Sequence, residues 1–450
     1  MGRQTRLLFG ISIFWLALSV LFDGINTLVL PIQVSALASQ NNQATLLGYL
    51  TFVGLLAGAL IQPIAGTISD AFKPFLGRKG FIGIGLLLSL ISLFLFAVFQ
   101  SLAGILLGYL AIQISASIAQ AGQQGLIPDL VNENRRGLAS GMKGFMDLTG
   151  AMLGFVLLGQ FLGSGGILPA IGVIGAILVI AYLLAVLLTP EDQPARAPAA
   201  KTNPVSLTKI FRFDLTEQHT FVRLILARFL FLLGIYGTGR FLLFFVADRL
   251  GLSMEQAAEQ AGTLLAGLAL ITILASPLTG WHADRIGRVP LMIAGAMCSA
   301  VSALMLVWAN SAGEILLFGG FMSLGSAAFA SGSWAMLADV VPKHQSARFF
   351  GLANFSTAGA AAAAGLFGPI IDWSDRLAPE AGFSVLFILA SVAFLASALP
   401  LRKPLLEDGE THGNKRKIRA YDPGLAVVPV QADPADVEED QDPPGRTARL

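Results

Sequence analysis

The feature that most constrains this chain is a motif that occurs twice, about half a chain apart. Each copy has a proline, a glycine, an aspartate and a Gly-Arg pair in one order: Pro63, Gly66, Asp70, Gly77 and Arg78, then Pro277, Gly280, Asp284, Gly287 and Arg288. The first three positions are offset by 214 residues and the last two by 210, so the first copy has four extra residues after Asp70. The same 210 offset relates Asp129, Val131 and Gly141 to Asp339, Val341 and Gly351. The chain is therefore predicted to be a duplicated unit.

The composition places this unit in a membrane. Hydrophobic residues make up 55% of the chain and charged residues only 13%, with a mean hydropathy of +0.72, whereas about 25% of the residues in soluble domains are charged. A helix of roughly 20 apolar residues spans the hydrocarbon core of a bilayer. We expect twelve such windows: 8–32, 45–69, 80–99, 103–126, 138–163, 167–189, 221–246, 258–280, 290–309, 313–337, 348–371 and 382–401.

The charges of the loops set the orientation of these windows. Lysine and arginine accumulate in cytoplasmic loops, and one side holds Arg3, Arg6, Lys73, Arg78, Lys79, Arg135, Arg136, Arg196, Lys201, Lys209, Arg212, Arg285, Arg288, Lys343, Arg402 and Lys403. The loops of the other side hold only Arg249 and Arg376. The sequence thus predicts an all-α membrane protein with twelve transmembrane helices and with both termini in the cytoplasm. The predicted location is a cell (plasma or inner) membrane.

The polar segments divide the chain into four predicted parts. Residues 1–189 form a six-helix half, 190–220 a cytoplasmic linker rich in proline and alanine, 221–401 a second six-helix half, and 402–450 a tail that we expect to be disordered. Two parallel six-helix repeats are the architecture in which alternating access occurs around a site between the halves.

One loop carries a family resemblance. The segment Gly-Trp-His-Ala-Asp-Arg-Ile-Gly-Arg at 280–288 resembles the loop motif G-x-x-x-D-R-x-G-R of the major facilitator superfamily. The first copy departs from it, because it is four residues longer and lacks an arginine directly after Asp70; this longer loop is similar to that of the glycoside-pentoside-hexuronide and sucrose-transporter branches. The resemblance covers roughly residues 7–401 and implies a twelve-helix transporter.

The motif residues are predicted to form a gate on the cytoplasmic side. A carboxylate at a helix end can meet the positive N-terminus of a neighbouring helix, while nearby arginines neutralise it. Such contacts would form only while the cytoplasmic ends of the halves are together, and the family resemblance implies the same role. The predicted gate comprises Gly66, Asp70, Gly77, Arg78, Asp129, Gly280, Asp284, Arg285, Gly287, Arg288 and Asp339. The alternatives are snorkelling interface charges and, for Asp129 and Asp339, ordinary helix ends beside Pro128 and Pro342.

Two charges in the predicted first and seventh spans suggest a second gate. Asp23 and Arg240 lie roughly 22 and 28 Å from the cytoplasmic start of their helices, toward the outer face. The resemblance implies that these two spans face each other, so we expect an Asp23–Arg240 pair that closes the outer side. The alternative is that each charge meets headgroup water alone.

A second pair of charges lies nearer the middle of the bilayer. Lys143 and Asp147 are four residues apart in the fifth predicted span, and therefore share a helix face. Buried charges in a membrane often mark ion pathways, so Asp147, with Lys143, is the candidate site for a coupling ion. A purely structural ion pair is the competing interpretation.

The fourth predicted span carries a polar stripe. Gln113, Ser117, Gln120 and Gln124 follow helical spacing and share one face. Amides and hydroxyls suit hydrogen bonding to a polyhydroxylated solute, with Tyr236 or Trp334 stacking on a sugar ring. These six residues form the predicted substrate site; hydrogen bonding between helices is the bland alternative for the stripe.

The remaining motifs argue against enzymes. The sequence has no phosphate-binding loop, no nucleophile elbow and no paired-histidine motif, and its four histidines lack ligand spacing. We therefore predict neither an enzyme nor a metal or cofactor site, and expect no nucleic-acid partner. The leading function is secondary transport of a small polar solute, such as a sugar or glycoside, with H⁺ or Na⁺, by a monomer. Proton-driven efflux of amphipathic compounds or amino acids is the alternative, and a non-transporting membrane sensor or scaffold is the alternative from another class.

Overall fold

The computed structural model describes residues 3–132, 135–190, 219–341 and 346–401, and in these ranges it contains helices and connecting turns but no strand. The first half contains α1 (Arg3–Gly24), α2 (Leu30–Leu37), α3 (Gln43–Val98), α4 (Leu102–Leu130), α5 (Arg136–Ser164) and α6 (Ile167–Leu188). The second half contains α7 (His219–Arg240), α8 (Leu242–Leu250), α9 (Met254–Ile286), α10 (Arg288–Leu306), α11 (Ala312–Val340), α12 (Ser346–Ala363), α13 (Phe367–Leu377) and α14 (Ala381–Ala398).

Within the described ranges, ten helical segments are long and apolar enough to cross a membrane. One of them, Gln40–Val98, contains two of the predicted windows, because α3 continues through a kink. The predicted window 348–371 is divided between α12, a 3₁₀ turn at Ala364–Leu366 and α13. The all-α membrane architecture is confirmed, whereas the count of twelve and the cytoplasmic termini stay predictions.

The backbone conformation explains why glycine occurs in both Gly-Arg pairs of the duplicated motif. Gly77 has φ 68° at the kink of α3, and its repeat equivalent Gly287 has φ 100° where α9 gives way to α10. Side chains with a Cβ rarely adopt positive φ, so glycine is the residue suited to both bends. Each glycine places the following arginine at the start of the next helical stretch.

Serine caps begin three helices on the predicted outer side. Ser101, Ser253 and Ser311 accept hydrogen bonds from the backbone N–H groups of Gly104, Gln256 and Glu314, respectively. At Ser253 the Gln256 side chain also accepts from the backbone N–H of the serine, which completes a capping box. These caps satisfy N–H groups that a helix end would leave unpaired.

The described residues belong to one compact unit, whereas the predicted tail and most of the predicted linker lie outside the described residues. The division into two six-helix halves stays a prediction. Helices of the two halves nevertheless pack together closely at the predicted outer side, where a Cβ on Gly48 of α3 would lie 2.1 Å from the carbonyl oxygen of Gly365. A Cβ on Gly262 of α9 would lie 2.4 Å from the carbonyl oxygen of Phe155 on α5.

The same helices are separated at the predicted cytoplasmic side. A Cβ would meet no neighbouring atom within 4 Å, among the residues the structure describes, at Gly66, Gly137, Gly141, Gly144, Gly280 and Gly351. Helices α3, α5 and α9, here called the gate helices, thus contact the opposite predicted half through backbone at the predicted outer side. Their glycines at the predicted cytoplasmic side have no such contact. Among the described residues, the backbone contacts between the predicted halves that these glycines report therefore lie toward the predicted outer side.

Candidate functional site

A cavity of about 390 Å³ lies between helices of both halves. Its polar wall combines amides, hydroxyls and charges: Asp23, Asn26, Thr27, Gln62, Gln113, Ser117, Gln120, Gln124, Lys143, Tyr236, Arg240, Asn354 and Thr357. The apolar part of the wall includes Phe22, Leu55, Phe155, Ile235 and Leu265. A cavity with few apolar rings and many convergent polar groups suits a small hydrogen-bonding solute.

The polar stripe of α4 faces this cavity. All four members, Gln113, Ser117, Gln120 and Gln124, contribute to its wall. Gln120 accepts a hydrogen bond at 3.0 Å from the Gln62 amide of α3, and Ser117 donates at 3.3 Å to the carbonyl oxygen of Gly58. The stripe therefore joins helices and lines the cavity at once, so its predicted role in substrate binding stays a prediction.

A glutamine outside the stripe serves a different purpose. Gln123 is fully buried and donates at 2.5 Å to the carbonyl oxygen of Ile11 on α1. Two amides three residues apart on α4 thus face different partners: Gln120 faces the cavity and Gln123 ties α4 to α1.

Three amide residues of the wall were missed by sequence reasoning, as were the hydroxyl residues Thr27 and Thr357. Asn26 lies in a π-helical turn, Ile25–Val29, that interrupts the first span directly after α1, and its amide oxygen accepts from the hydroxyl of Tyr109 at 2.6 Å and from Gln113 at 3.1 Å. Gln62 and Asn354 are the other two. Each is an isolated amide in an apolar window; for Asn26, the helical spacing from Asp23 was the available signal.

The predicted outer-gate residues share the cavity but do not pair. Asp23 accepts a hydrogen bond from the Ser19 hydroxyl at 2.8 Å, and Arg240 donates to the carbonyl oxygen of Ala361 at 3.1 Å. Within the described ranges no ion pair joins Asp23 to Arg240. Backbone packing at Gly48 and Gly365 joins the predicted halves at the predicted outer side, and a gating role for the two charges stays a prediction.

The predicted coupling pair is present. The Nζ atom of Lys143 lies 3.7 Å from the carboxylate of Asp147, and it also lies 3.9 Å from the centre of the Trp15 ring. Lys143 contributes to the cavity wall. One member of the ion pair therefore borders the cavity, and the coupling role of the pair stays a prediction.

The two predicted aromatic residues lie in different places. Tyr236 lines the cavity, whereas Trp334 is not part of its wall. The Arg228 guanidinium lies 4.3 Å from the centre of the Trp334 ring and donates at 2.6 Å to the Ser333 hydroxyl. The structure thus brings Tyr236, but not Trp334, together with the polar stripe.

The predicted cytoplasmic-gate charges pair within each half. Arg78 contacts Asp70 at 2.5 Å and Asp129 at 2.9 Å, and its repeat equivalent Arg288 contacts Asp339. Lys73 adds a second cation to Asp129 at 2.9 Å. Each of these pairs lies within one predicted half, and none of them joins the two.

The remaining motif charges take no part in a contact between the halves. Asp284 is exposed and has no ion pair within the described ranges, and the Arg285 guanidinium lies 3.8 Å from the Trp281 ring centre. A latch between the halves would have to form in another conformation, and the gate stays a prediction.

A second, more apolar cavity of about 270 Å³ adjoins the first. The two share Asp23, Phe155, Ile235, Gly239 and Leu265. The described residues contain no group of three acidic, histidine or cysteine side chains that is suited to hold a metal ion.

Comparison with known proteins connects this geometry to a family. The model of the Major Facilitator Superfamily matches residues 8–258 and 256–428. The chain is 27% identical over 207 residues to the quinolone resistance protein NorA of Staphylococcus aureus (44% of this chain, 50% of that protein), and 27% identical over 147 residues to the class E tetracycline resistance protein of Escherichia coli (32% and 35%). The chain thus matches half or less of the length of these curated relatives.

Solved structures give the fold. A D-xylose-proton symporter superposes with a TM-score of 0.69 at 19% identity, covering 89% of this chain and 98% of the symporter. A bacterial homolog of the human lysosomal transporter Spinster superposes with a TM-score of 0.65 at 14% identity, covering 94% and 99%. The family match and the ten candidate spans confirm a multi-pass membrane protein of a transporter family rather than an enzyme. The chain belongs to the major facilitator superfamily.

Proposed function

We propose that this protein is a secondary active transporter that moves a small polar solute across a cell membrane by alternating access, coupled to H⁺ or Na⁺. The observation that carries the proposal is the cavity between the halves, whose wall contains six side-chain amides: Asn26, Gln62, Gln113, Gln120, Gln124 and Asn354. Amides donate and accept hydrogen bonds without carrying charge. A polyhydroxylated solute, such as a sugar or a sugar derivative, offers the matching groups.

The asymmetry of the gate helices supports alternating access. The halves touch through backbone near Gly48, Gly365 and Gly262, and they diverge near Gly66 and Gly280. A rocking motion that exchanges these two arrangements would expose the cavity to the opposite side. The transporter would then need no large change inside either half.

Ion coupling is assigned to the charges beside the cavity. Asp147 is paired with Lys143, and Lys143 and Asp23 line the cavity wall. Protonation or cation binding at a carboxylate changes the charge that a solute meets, so binding of the ion and of the solute become linked. We assign the coupling site to Asp147, with Asp23 as the second carboxylate within the same region.

Efflux of an amphipathic compound is the second candidate. The adjoining apolar cavity is lined by side chains such as Leu242, Leu268 and Phe387, and it joins the polar one at Asp23 and Phe155. Two curated relatives are named for resistance to quinolone and to tetracycline. An amphipathic solute would use both cavities, with its polar end at the amides.

The test is uptake by purified protein in proteoliposomes, with radiolabelled sugars, sugar acids, amino acids and amphipathic cations. Each solute is measured with and without an imposed pH or Na⁺ gradient. We expect accumulation of a polar solute only when the gradient is present. Movement of amphipathic cations against a proton gradient, with no movement of polar solutes, would favour efflux; binding without any movement would favour the sensor class.

Asp147→Asn tests the coupling assignment within the same assay. The variant should still equilibrate the solute down its own gradient, while gradient-driven accumulation falls to the level of equilibration. Glu259→Gln is the matched control, because Glu259 is an exposed carboxylate of α9 that does not line the cavity. Full accumulation by Asp147→Asn would remove Asp147 from the coupling role.

A further inference from the structure

Arg240 is a buried cation in the cavity wall whose hydrogen bonds are incomplete. Its side chain ends α7 beside the polar cavity, and the residue is only 5% exposed. One guanidinium nitrogen, Nη2, donates to the carbonyl oxygen of Ala361, but Nε and Nη1 have no hydrogen-bond partner within the described ranges. Within the described ranges no carboxylate pairs with this forked donor group, and its side-chain hydrogen-bond partner is the hydroxyl of Tyr109.

Burial of the Arg240 guanidinium is unfavourable unless an anionic hydrogen-bond acceptor pairs with it. A guanidinium does not lose its proton in a protein, so Arg240 stays charged. A charge in a low-dielectric interior without an opposite charge beside it is strongly unfavourable relative to the same charge in water. The side chains that interact with its charge are Tyr109, which forms a hydrogen bond with Arg240, and Tyr236; both present neutral hydroxyls rather than a carboxylate.

The charges inside the predicted spans also indicate that an anionic partner is missing. Well inside the predicted spans lie three cations, Lys143, Arg228 and Arg240, but only two carboxylates, Asp23 and Asp147. Lys143 is paired with Asp147, and Asp23 accepts from Ser19 rather than from a cation. The interior therefore carries an excess positive charge, and a neutral solute would leave that excess in place.

We infer that the transported solute carries a carboxylate, and that Arg240 is the residue that recognises it. This inference rests on the proposed function and narrows its substrate class from polar solutes to organic acids with additional hydrogen-bonding groups. Arginine is suited to the task because its planar fork matches both oxygens of a carboxylate. The amides of the wall, such as Gln120 and Asn26, would hold the uncharged hydroxyl groups of the same solute.

The test compares acids with their own amides, which have the same skeleton but no charge. The probes are D-glucuronate and D-glucuronamide, nicotinate and nicotinamide, lactate and lactamide, and benzoate and benzamide. Binding to the purified full-length protein in detergent is measured by calorimetry. We expect at least one acid to bind about tenfold or more tightly than its amide. If none of the four acids binds more tightly than its amide, the inference is overturned.

Variants of Arg240 then locate the recognition. Arg240→Gln should abolish the preference for the acid, and Arg240→Lys should weaken it, because an ammonium keeps the charge but loses the fork. The control is Arg228→Gln, which alters an equally buried arginine of α7 that does not line the cavity, and it should keep the preference. An unchanged preference in Arg240→Gln would overturn the inference; if that variant does not fold, an unchanged preference in Arg240→Lys would do so.

The outcomes separate this inference from the proposed function. Binding of an acid that depends on Arg240, without uptake into proteoliposomes, would leave the recognition intact and remove transport. Gradient-driven accumulation of a neutral sugar by Arg240→Gln, at the rate of the wild type, would leave transport intact and remove the recognition.

Discussion

Arg78 and Asp129 form an ion pair at 2.9 Å between α3 and α4, and 210 residues later Arg288 and Asp339 form the equivalent pair between α10 and α11. The two pairs differ in burial. The Arg78 side chain is 8% exposed and also contacts Asp70, whereas the Arg288 and Asp339 side chains are 31% and 64% exposed. The two repeat-related arginines thus pair with equivalent aspartates, but we expect the two ion pairs to contribute differently to stability.

This difference predicts unequal effects of removing the two arginines. Arg78→Ala removes a nearly buried guanidinium from Asp129 and Asp70 and leaves Lys73 as the remaining cation on Asp129, so it should lower the free energy of unfolding by about 2 kcal/mol. Arg288→Ala breaks a solvent-exposed pair and should cost under about 1 kcal/mol. Unfolding of both variants in mixed detergent micelles measures the two losses in free energy of unfolding. Equal losses would contradict the conclusion that the more buried ion pair stabilises the protein more.

The backbone contact at Gly48 predicts a shift in which side of the protein is open. Gly48→Val places a side chain against the carbonyl oxygen of Gly365, so it should prevent closure of the predicted outer side. Gly66→Val is the matched control on the same helix, where a Cβ meets open space. The measurement is labelling of Ala44→Cys, a position 3% exposed here, by a membrane-impermeant maleimide in a Cys298→Ser background. Labelling in the Gly66 variant alone would contradict the prediction.

Asp372 predicts a second contribution to closure of the outer side. Its carboxylate on α13 accepts a hydrogen bond at 2.6 Å from the backbone N–H of Thr45 in the first turn of α3, so it caps a helix of the opposite half. Asp372→Ala removes this cap and should weaken closure by about 1 kcal/mol, whereas Asp372→Asn keeps an acceptor and should have a smaller effect. The same Ala44→Cys labelling rate reports both; equal rates in the two variants would argue against capping.

Gln120 and Gln123 lie on different faces of α4, so we expect their substitution to affect different properties, namely solute binding and stability. Gln120→Leu removes a cavity amide and should weaken solute binding by about 3- to 10-fold, with little change in thermal stability. Gln123→Leu breaks the bond to Ile11 and should lower the unfolding temperature while the affinity of the folded protein is retained. Calorimetric binding and thermal unfolding of both variants test the separation. A Gln120 variant with unchanged affinity would mean that the stripe only joins helices.

Much of the fold follows from patterns in the sequence. Apolar windows and loop charges predict the helical segments, and the 210-residue offset predicts that Arg78 and Arg288 occupy equivalent positions. The helical spacing of Gln113, Ser117, Gln120 and Gln124 predicts one shared face, and all four line one cavity. These inferences succeed because helical periodicity is a local property.

Other parts of the site depend on contacts that no local pattern encodes. The π turn that positions Asn26, and the neighbours Gln62 and Asn354, come from packing between distant helices. The predicted Asp23–Arg240 pair rested on the assumption that opposite charges on facing spans meet. In this conformation each takes a closer partner, Ser19 or the carbonyl oxygen of Ala361.

The glycines at which the halves meet have a consequence for how such a protein can change over evolution. Gly48, Gly365 and Gly262 lie at backbone contacts between the predicted halves, yet none of them lines the polar cavity. In the proposed transport cycle, enlarging one of these residues by a methyl group should change the preferred resting conformation while the amides and Arg240 of the cavity wall stay the same. The residues proposed to set the resting conformation are therefore separate from those proposed to select the solute, so mutation could change one property without the other.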